Sequence, residues 1–121
     1  MSSDHCERFI VIAKDCISEI DSTLPSLLGT YTIVKWMEIV SAKCVNTTID
    51  TEKYITVGQE IAIEHIGMGK IGDEVEVTSR LVKQEKRERY FEIEAWIAGE
   101  LIAEASHKRV LMPLRVLKKL A

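Results

Sequence analysis

The sequence lacks several features that mark particular classes of protein. No run approaches the roughly 20 apolar residues of a membrane-spanning helix, and the first eight residues are too polar to open a secretory signal. The three cysteines form neither an even set nor a C-x-x-C pair, so we interpret them as reduced thiols without metal-binding spacing. Only 2 prolines occur, and no repeat or low-complexity linker is present. These absences predict a single cytoplasmic domain spanning residues 1–121.

The net charge argues against partners that are polyanions. Lysine and arginine total 16 against 19 aspartates and glutamates, so the formal net charge is −3. No overall positive field attracts polyanions, and we expect neither nucleic acid nor membrane as a partner. Hydrophobic residues make up 46% of the 121 residues, which is enough for one core without disulfide support.

The clearest periodic segment is one long helix. From Thr30 to Cys44, apolar side chains recur at spacings of three and four residues, which places Ile33, Met37, Val40 and Cys44 on one stripe. The Thr30 hydroxyl is predicted to cap the start of this helix by accepting a bond from a free backbone N–H.

Strands are predicted on both sides of the helix. The segment Arg8–Ile20 is rich in Ile, Val and Cys, which favours a strand with a bulge near its middle. After the helix the period changes to two, and turn residues separate the alternating segments. This pattern predicts four strands and a short helical tail, at Tyr54–Ile66, Asp73–Lys86, Tyr90–Ile97, Leu101–Met112 and Leu114–Leu120.

Alternation also assigns side chains to faces of the sheet. In the first strand after the helix, the odd-numbered positions between 55 and 65 are predicted to face inward, with Thr56 and Glu60 outward. In the last strand the inward set is the odd-numbered positions between 101 and 111. Each set contains unexpected polar residues, namely His65 in the first and His107 and Arg109 in the second.

The order of elements favours an antiparallel sheet covered by its only long helix. Four successive strands with short connections can form a meander whose apolar face needs this cover. The sheet can wrap around the helix, or the helix can lie across an open sheet, and the order of elements allows both. A homodimer that joins two sheets edge to edge would protect the exposed edges.

Several polar residues stand where packing alone would place apolar ones. An inward imidazole such as His65 can be a core residue bound to a carbonyl, whereas an inward guanidinium such as Arg109 needs an anion. Thr30 and Glu38 share one flank of the helix. Glu38 lies about 130° from the centre of the apolar stripe. Glu38 is either a solvated surface residue or the partner of His65 at a subunit boundary. In that second case a hydroxyl, a carboxylate and a base would meet, as in an activated nucleophile.

Three further features have both structural and functional interpretations. Gly58 interrupts a strand of β-branched residues, which indicates either a bulge or a backbone N–H available as an oxyanion donor. A hairpin carrying Lys83, Lys86, Arg87 and Arg89 is either a solvated turn or a contact for nucleotide phosphates. His65, His107 and Glu38 are the side-chain types of a metal site with two histidines and one carboxylate, but no dense ligand motif supports such a site.

Three segments carry a resemblance to a known family. They are G-T-Y-T-I-V-K-W-M-E-I-V-S-A at Gly29–Ala42, V-G-Q-E-I-A-I-E-H at Val57–His65 and S-H-K-R at Ser106–Arg109. In their order and spacing they resemble the hot-dog thioesterases of the fluoroacetyl-CoA thioesterase type.

The resemblance implies a role for five residues. Thr30 is similar to the family's catalytic hydroxyl, Glu38 to its acidic partner and His65 to its base. Gly58 matches the oxyanion donor, and Arg109 matches the arginine near the site. The implied fold is α+β, the hot-dog fold, in which an antiparallel five-stranded sheet wraps around one long central helix. No metal or cofactor is implied, and the implied assembly is a homodimer or a dimer of dimers.

The implied activity is hydrolysis of an acyl-CoA thioester. The segment 66–72 differs from the family's usual T-P-x-G turn, and the segment 21–28 has no aromatic residue, so specificity for fluoroacetyl-CoA is not implied. A non-catalytic module that binds or senses acyl-CoA is the alternative. An enoyl-thioester hydratase is a third possibility, but it needs an Asp and His pattern that the sequence does not show.

Overall fold

One long helix and five antiparallel strands account for most of the chain, of which a computed structural model describes residues 4–121. Two single-turn 3₁₀ helices, at Ala13–Asp15 and Ile17–Glu19, follow the first strand. The other elements, in chain order, are β1 (Asp4–Ile10), α1 (Thr30–Asn46), β2 (Tyr54–His65), β3 (Glu74–Glu85), β4 (Glu88–Ile97), β5 (Glu100–Pro113) and α2 (Leu114–Leu120).

The strands lie in the order β1-β3-β4-β5-β2, so only β3, β4 and β5 form a meander. The predicted meander of four strands is therefore wrong at one point, because β2 pairs with β5 and not with β3. The chain crosses the sheet through α1 between β1 and β2, and these two strands become opposite edges. Each edge strand has one neighbour within the described chain, and one side of its backbone is left without a strand partner.

The predicted apolar stripe of α1 forms the centre of the core. Ile33, Met37 and Val40 are fully buried and Cys44 is almost so. The helix packs across the concave face of the sheet, chiefly over β3, with Val75, Val77, Phe91 and Ile93 among the buried residues beneath it. One polar contact lies inside this packing, where the hydroxyls of Ser41 and Ser79 are 2.8 Å apart and fully buried.

The prediction of one strand over Arg8–Ile20 is wrong beyond Ile10. The Asp15 side chain accepts a hydrogen bond from the backbone N–H of Ile12 at 3.0 Å, which closes a local turn. Cys16 is fully buried although it lies outside β1. Apolar content alone could not distinguish this buried, turned segment from a strand.

A bulge in β2 corrects the predicted faces of that strand. Its register with β5 shifts between Gly58 and Glu60, so the alternation reverses there. Thr56, predicted to face outward, is buried and bonded to Arg109, whereas His65 keeps its predicted inward position. The inward assignment of positions 55 and 57 is therefore wrong. In β5 the inward positions of His107 and Arg109 are confirmed, since both are buried.

None of the helices in the described chain has the length and hydropathy needed to cross a lipid bilayer.

Candidate active site

The hydroxyl of Thr30 and the imidazole of His65 are in direct contact. Thr30 Oγ1 lies 2.7 Å from His65 Nδ1, which is a short hydrogen bond. Thr30 is the first residue of α1 and His65 is the last residue of β2, so two element ends supply this pair. Gly29, and not the predicted Thr30, is the N-cap, and the threonine hydroxyl binds the imidazole instead of a backbone N–H.

Backbone hydrogen bonds hold both element ends in place. The N–H of Gly29 donates to the Asp15 carbonyl at 3.0 Å, which fixes the start of α1. The N–H of Leu28 donates to the carbonyl of Gly69 at 2.8 Å, so the loop after β2 is attached to the segment before the helix. The contact between Thr30 and His65 is thus supported on both sides.

The other ring nitrogen of His65 has no partner within residues 4–121. Nε2 is buried and makes no hydrogen bond there. Thr30 can donate its proton to Nδ1 of the neutral ring, and Nε2 then carries the ring hydrogen. A buried donor of this kind requires an acceptor, because leaving it unpaired costs free energy.

Glu38 belongs to a second cluster, with Gly58 and Arg109. Arg109 Nη1 donates to Glu38 Oε1 at 3.3 Å. The carboxylate also lies so close to the Gly58 backbone that a Cβ built there would overlap Oε1. Any side chain at position 58 would have to displace this carboxylate, and the bulge brings Gly58 opposite Arg109.

Arg109 is held in place by Thr56 and His107. Nε donates to Thr56 Oγ1 at 2.8 Å and Nη2 donates to the Thr56 carbonyl at 2.9 Å. The Arg109 side chain is 8% exposed, against 45% for the Glu38 side chain. Its donors are directed to groups inside the protein, namely Thr56, His107 and Glu38.

The state of His107 follows from its two contacts. Nδ1 lies 2.8 Å from the carbonyl of Glu60, which only accepts, so Nδ1 carries the ring proton. Nε2 lies 3.2 Å from Arg109 Nη1, which only donates, so Nε2 is unprotonated and the ring is neutral. Burial lowers the pKa of His107, with a further contribution from the charge of Arg109.

The two clusters lie apart within one chain. His65 is seven positions after Gly58 in β2, a length of roughly 23 Å at 3.3 Å per residue. Eight residues of α1 separate Thr30 from Glu38, or about 12 Å along the helix axis. Within residues 4–121 Glu38 binds Arg109 and makes no hydrogen bond with His65.

The residues of the conceivable metal site and of the cationic hairpin make other contacts in the structure. His65 binds Thr30 and His107 binds Glu60, and no group of metal-ligating side chains occurs in the described part of the chain. In the hairpin, Arg89 Nη1 donates to the carbonyls of Lys86 and Glu88.

Sequence reasoning missed Thr56 as a member of the site. The signal was Gly58, because a bulge beside it reverses the alternation and turns Thr56 toward Arg109. A bulge is one of the two interpretations of this glycine, and its consequence is that the faces predicted for the residues before it are reversed.

The fold and these clusters place the chain among the hot-dog proteins with thioesterase relatives. The family model of the fluoroacetyl-CoA-specific thioesterase FlK matches residues 11–115, so the chain belongs to this family. The resemblance drawn from the three sequence segments is thereby confirmed, and so is the hot-dog fold. No curated protein sequence matches the chain.

Solved structures agree on the fold at low sequence identity. A thioesterase superfamily member from Thermus thermophilus has a TM-score of 0.89 at 22% identity and covers 97% of this chain and 86% of its own. A hot-dog-like protein from Thermanaerovibrio acidaminovorans has a TM-score of 0.88 at 16% identity, with coverages of 98% and 87%. The fluoroacetyl-CoA thioesterase FlK has a TM-score of 0.88 at 18% identity, with coverages of 98% and 92%.

Proposed function

We propose that this protein is a cytoplasmic acyl-CoA thioesterase whose catalytic residues are Thr30, His65 and Glu38. The observation that carries the proposal is the 2.7 Å contact between the Thr30 hydroxyl and His65 Nδ1. A hydroxyl bonded to an imidazole is the arrangement of an activated nucleophile or of a base that can activate water.

We further propose that two copies of the chain complete each site. Thr30 and His65 come from one protomer, and Glu38 and Gly58 come from its partner. The separation of the two clusters within one chain supports this division. The edge strand β2 can form the contact between the two copies, because its free side can pair with the same strand of a second copy.

The register of such a pairing can be stated. If β2 pairs antiparallel with its copy, with the two-fold axis through Ala62 and Gln59 as the extra residue of the bulge, Gly58 of each chain lies opposite His65 of the other. Residues opposite each other in an antiparallel pair share a face. Gly58 and His65 both lie on the concave face, as the register with β5 and the contacts of both residues indicate.

Such a dimer would also provide an acceptor for the buried Nε2 of His65. Glu38 from the partner is a carboxylate already oriented by Arg109 and half-exposed within one chain. A carboxylate bonded to Nε2–H stabilises the imidazolium that forms when Nδ1 takes a proton.

The chemistry follows from these positions. His65 accepts a proton from Thr30 or from a water, and the resulting oxygen nucleophile attacks the thioester carbonyl. The Gly58 N–H is the proposed donor to the developing oxyanion. Collapse breaks the C–S bond, and the imidazolium returns its proton to the leaving thiolate. In a threonyl route, water then hydrolyses the acyl-threonine ester, and the products in both routes are a carboxylic acid and the thiol.

CoA is the proposed carrier because relatives in this family act on or contain it. Two variants of FlK have been solved with such ligands, one with fluoroacetate and CoA and the other with acetyl-CoA. Segment 21–28 of the present chain has no aromatic residue, so we do not extend fluoroacetyl specificity to it.

The decisive experiment is thiol release over a panel of acyl-CoA substrates of increasing chain length, beside an enoyl-CoA hydration assay. Release of CoA from at least one substrate, abolished in His65→Ala, is the expected result. Tight binding of acyl-CoA without thiol release would instead identify a non-catalytic binding module. Hydration without thiol release would identify a hydratase.

A further inference from the structure

A groove of about 420 Å³ lies between α2 and the beginning of β2, outside both clusters of the candidate site. Three cationic side chains line it, Lys53 before the strand and Arg115 and Lys118 on the helix, against one carboxylate, Glu52. The side chain of Tyr54 forms part of the wall and its residue is 39% exposed.

The positive charge in this groove is not neutralised locally. Within residues 4–121, none of the three cations forms an ion pair or a side-chain hydrogen bond, although the chain as a whole carries a net charge of −3. Arg115 and Lys118 are three residues apart on α2, which puts both on one side of the helix. A concave surface with two or three free cations is suited to an anion that carries several charges.

The groove continues the concave face that holds Gly58. Tyr54 is two residues before Thr56 and four before Gly58, and alternation on this side of the bulge places all three on the same face. Tyr54 is paired with Pro113 of β5, just as Gly58 is paired with Arg109. At 3.3 Å per residue, the groove begins about 13 Å from Gly58.

We propose that this groove binds the nucleotide end of the CoA substrate, with Lys53, Arg115 and Lys118 contacting its phosphates and Tyr54 stacking on its adenine. The proposal rests on the thioesterase function proposed above. CoA carries a pyrophosphate and a 3′-phosphate at the end of a long, flexible pantetheine arm. The thioester can therefore reach Gly58 while the phosphates occupy the groove.

Part of this site lies beyond the region that the family model matches. The family model ends at residue 115, so Lys118 and most of α2 lie outside the matched region. The hairpin between β3 and β4, whose cations are an alternative contact for phosphates, provides a matched control. Lys83, Lys86 and Arg87 are also two lysines and one arginine, all exposed.

The test measures binding by calorimetry for three proteins, which are the wild type, the groove variant K53Q/R115Q/K118Q and the hairpin variant K83Q/K86Q/R87Q. The ligands are CoA and dephospho-CoA, which lacks the 3′-phosphate. The groove variant should bind CoA about tenfold to a hundredfold more weakly, with an unchanged melting temperature because all three positions are exposed. The hairpin variant should stay within about twofold of the wild type.

Two results would overturn the site: unchanged CoA affinity in the groove variant, or an equal loss in the hairpin variant, which would indicate a general effect of net charge. Hydrolysis of an acyl-pantetheine thioester, which has no nucleotide, separates this inference from the proposed function. All three proteins should hydrolyse it equally. If none does while the groove variant still loses CoA affinity, the thioesterase proposal fails and the nucleotide site stands.

Discussion

Gly58 lies against the carboxylate of Glu38, so closely that there is no room for a Cβ at position 58. The overlapping atom would be Oε1, at the end of a flexible side chain, and not a backbone atom. A larger residue at position 58 would therefore move the carboxylate and leave the sheet intact. This contact connects an irregularity in an edge strand with the position of a candidate catalytic acid.

Gly58→Ala should reduce activity with little loss of stability. The methyl group pushes Glu38 away from Arg109, and a displacement of about 1 Å near the reacting groups can cost about 10²-fold in rate. Thioester hydrolysis and thermal unfolding measured on the same protein check this. Gln59→Ala, at the exposed neighbouring position, is the control. A large drop in melting temperature for Gly58→Ala would show that the glycine serves the strand and not the carboxylate.

His65→Ala should lower kcat by about 10²- to 10⁴-fold, the usual contribution of a general base. Thr30→Val should also lower it, and the double variant should lose little more than the worse single variant, because the two side chains act as a unit. Steady-state kinetics on a responsive acyl-CoA measure this. His5→Ala, which changes a histidine bonded to Glu7, controls for loss of an imidazole elsewhere. Full additivity of the two losses would mean that the residues act separately.

Mixed dimers test whether two chains share each site. His65→Ala and Glu38→Gln should each be nearly inactive alone. In a mixed dimer, one site receives the intact His65 of one chain and the intact Glu38 of the other. With random mixing, half of the dimers are mixed and each has one good site, so activity should recover to about a quarter of wild type. No recovery after mixing and refolding would place both residues in one chain's site.

Stability should fall as pH decreases below the ordinary histidine pKa of about 6.5. Burial lowers the pKa of His107 in the folded state, so the unfolded chain binds a proton at a higher pH than the folded chain does. Stabilisation is therefore complete above that value and is lost as pH falls toward the folded pKa. Urea unfolding between pH 7.5 and pH 5.0 measures the slope, with these limits chosen to lie about one unit or more from the histidine value. His107→Asn should flatten it, and a slope that persists in this variant would assign it to another group.

The buried hydroxyl pair in the core should behave asymmetrically on mutation. Ser41→Ala leaves Ser79 without its partner and should cost about 1–3 kcal/mol of unfolding free energy. Adding Ser79→Ala removes the unpaired hydroxyl, so the double variant should be more stable than the sum of the single losses predicts. Denaturant unfolding of the three variants provides the comparison, and strict additivity would show that the hydroxyls do not interact.

The pattern of apolar residues was sufficient to predict an element and its buried face where one periodicity holds along the whole element. The stripe of Ile33, Met37 and Val40 located α1 within two residues of its observed end, because a helix that covers a sheet must bury one face. The inward positions of His107 and Arg109 were predicted for the same reason, since the extra residue of the bulge opposite them lies in β2 and the register of β5 with β4 is unbroken there. Pattern failed at Thr56, where one extra residue reverses the alternation.

The sequence by itself determined the helix, most strand positions and the five candidate residues, because short-range periodicity and spacing carry that information. Only the tertiary structure decided which of these residues meet. It paired Thr30 with His65 and Glu38 with Arg109. The two residues of each pair are far apart in the chain, so only the packing of the elements brings them together. The strand order and the bulge in β2 depend on packing between distant segments, and no local pattern contains that information.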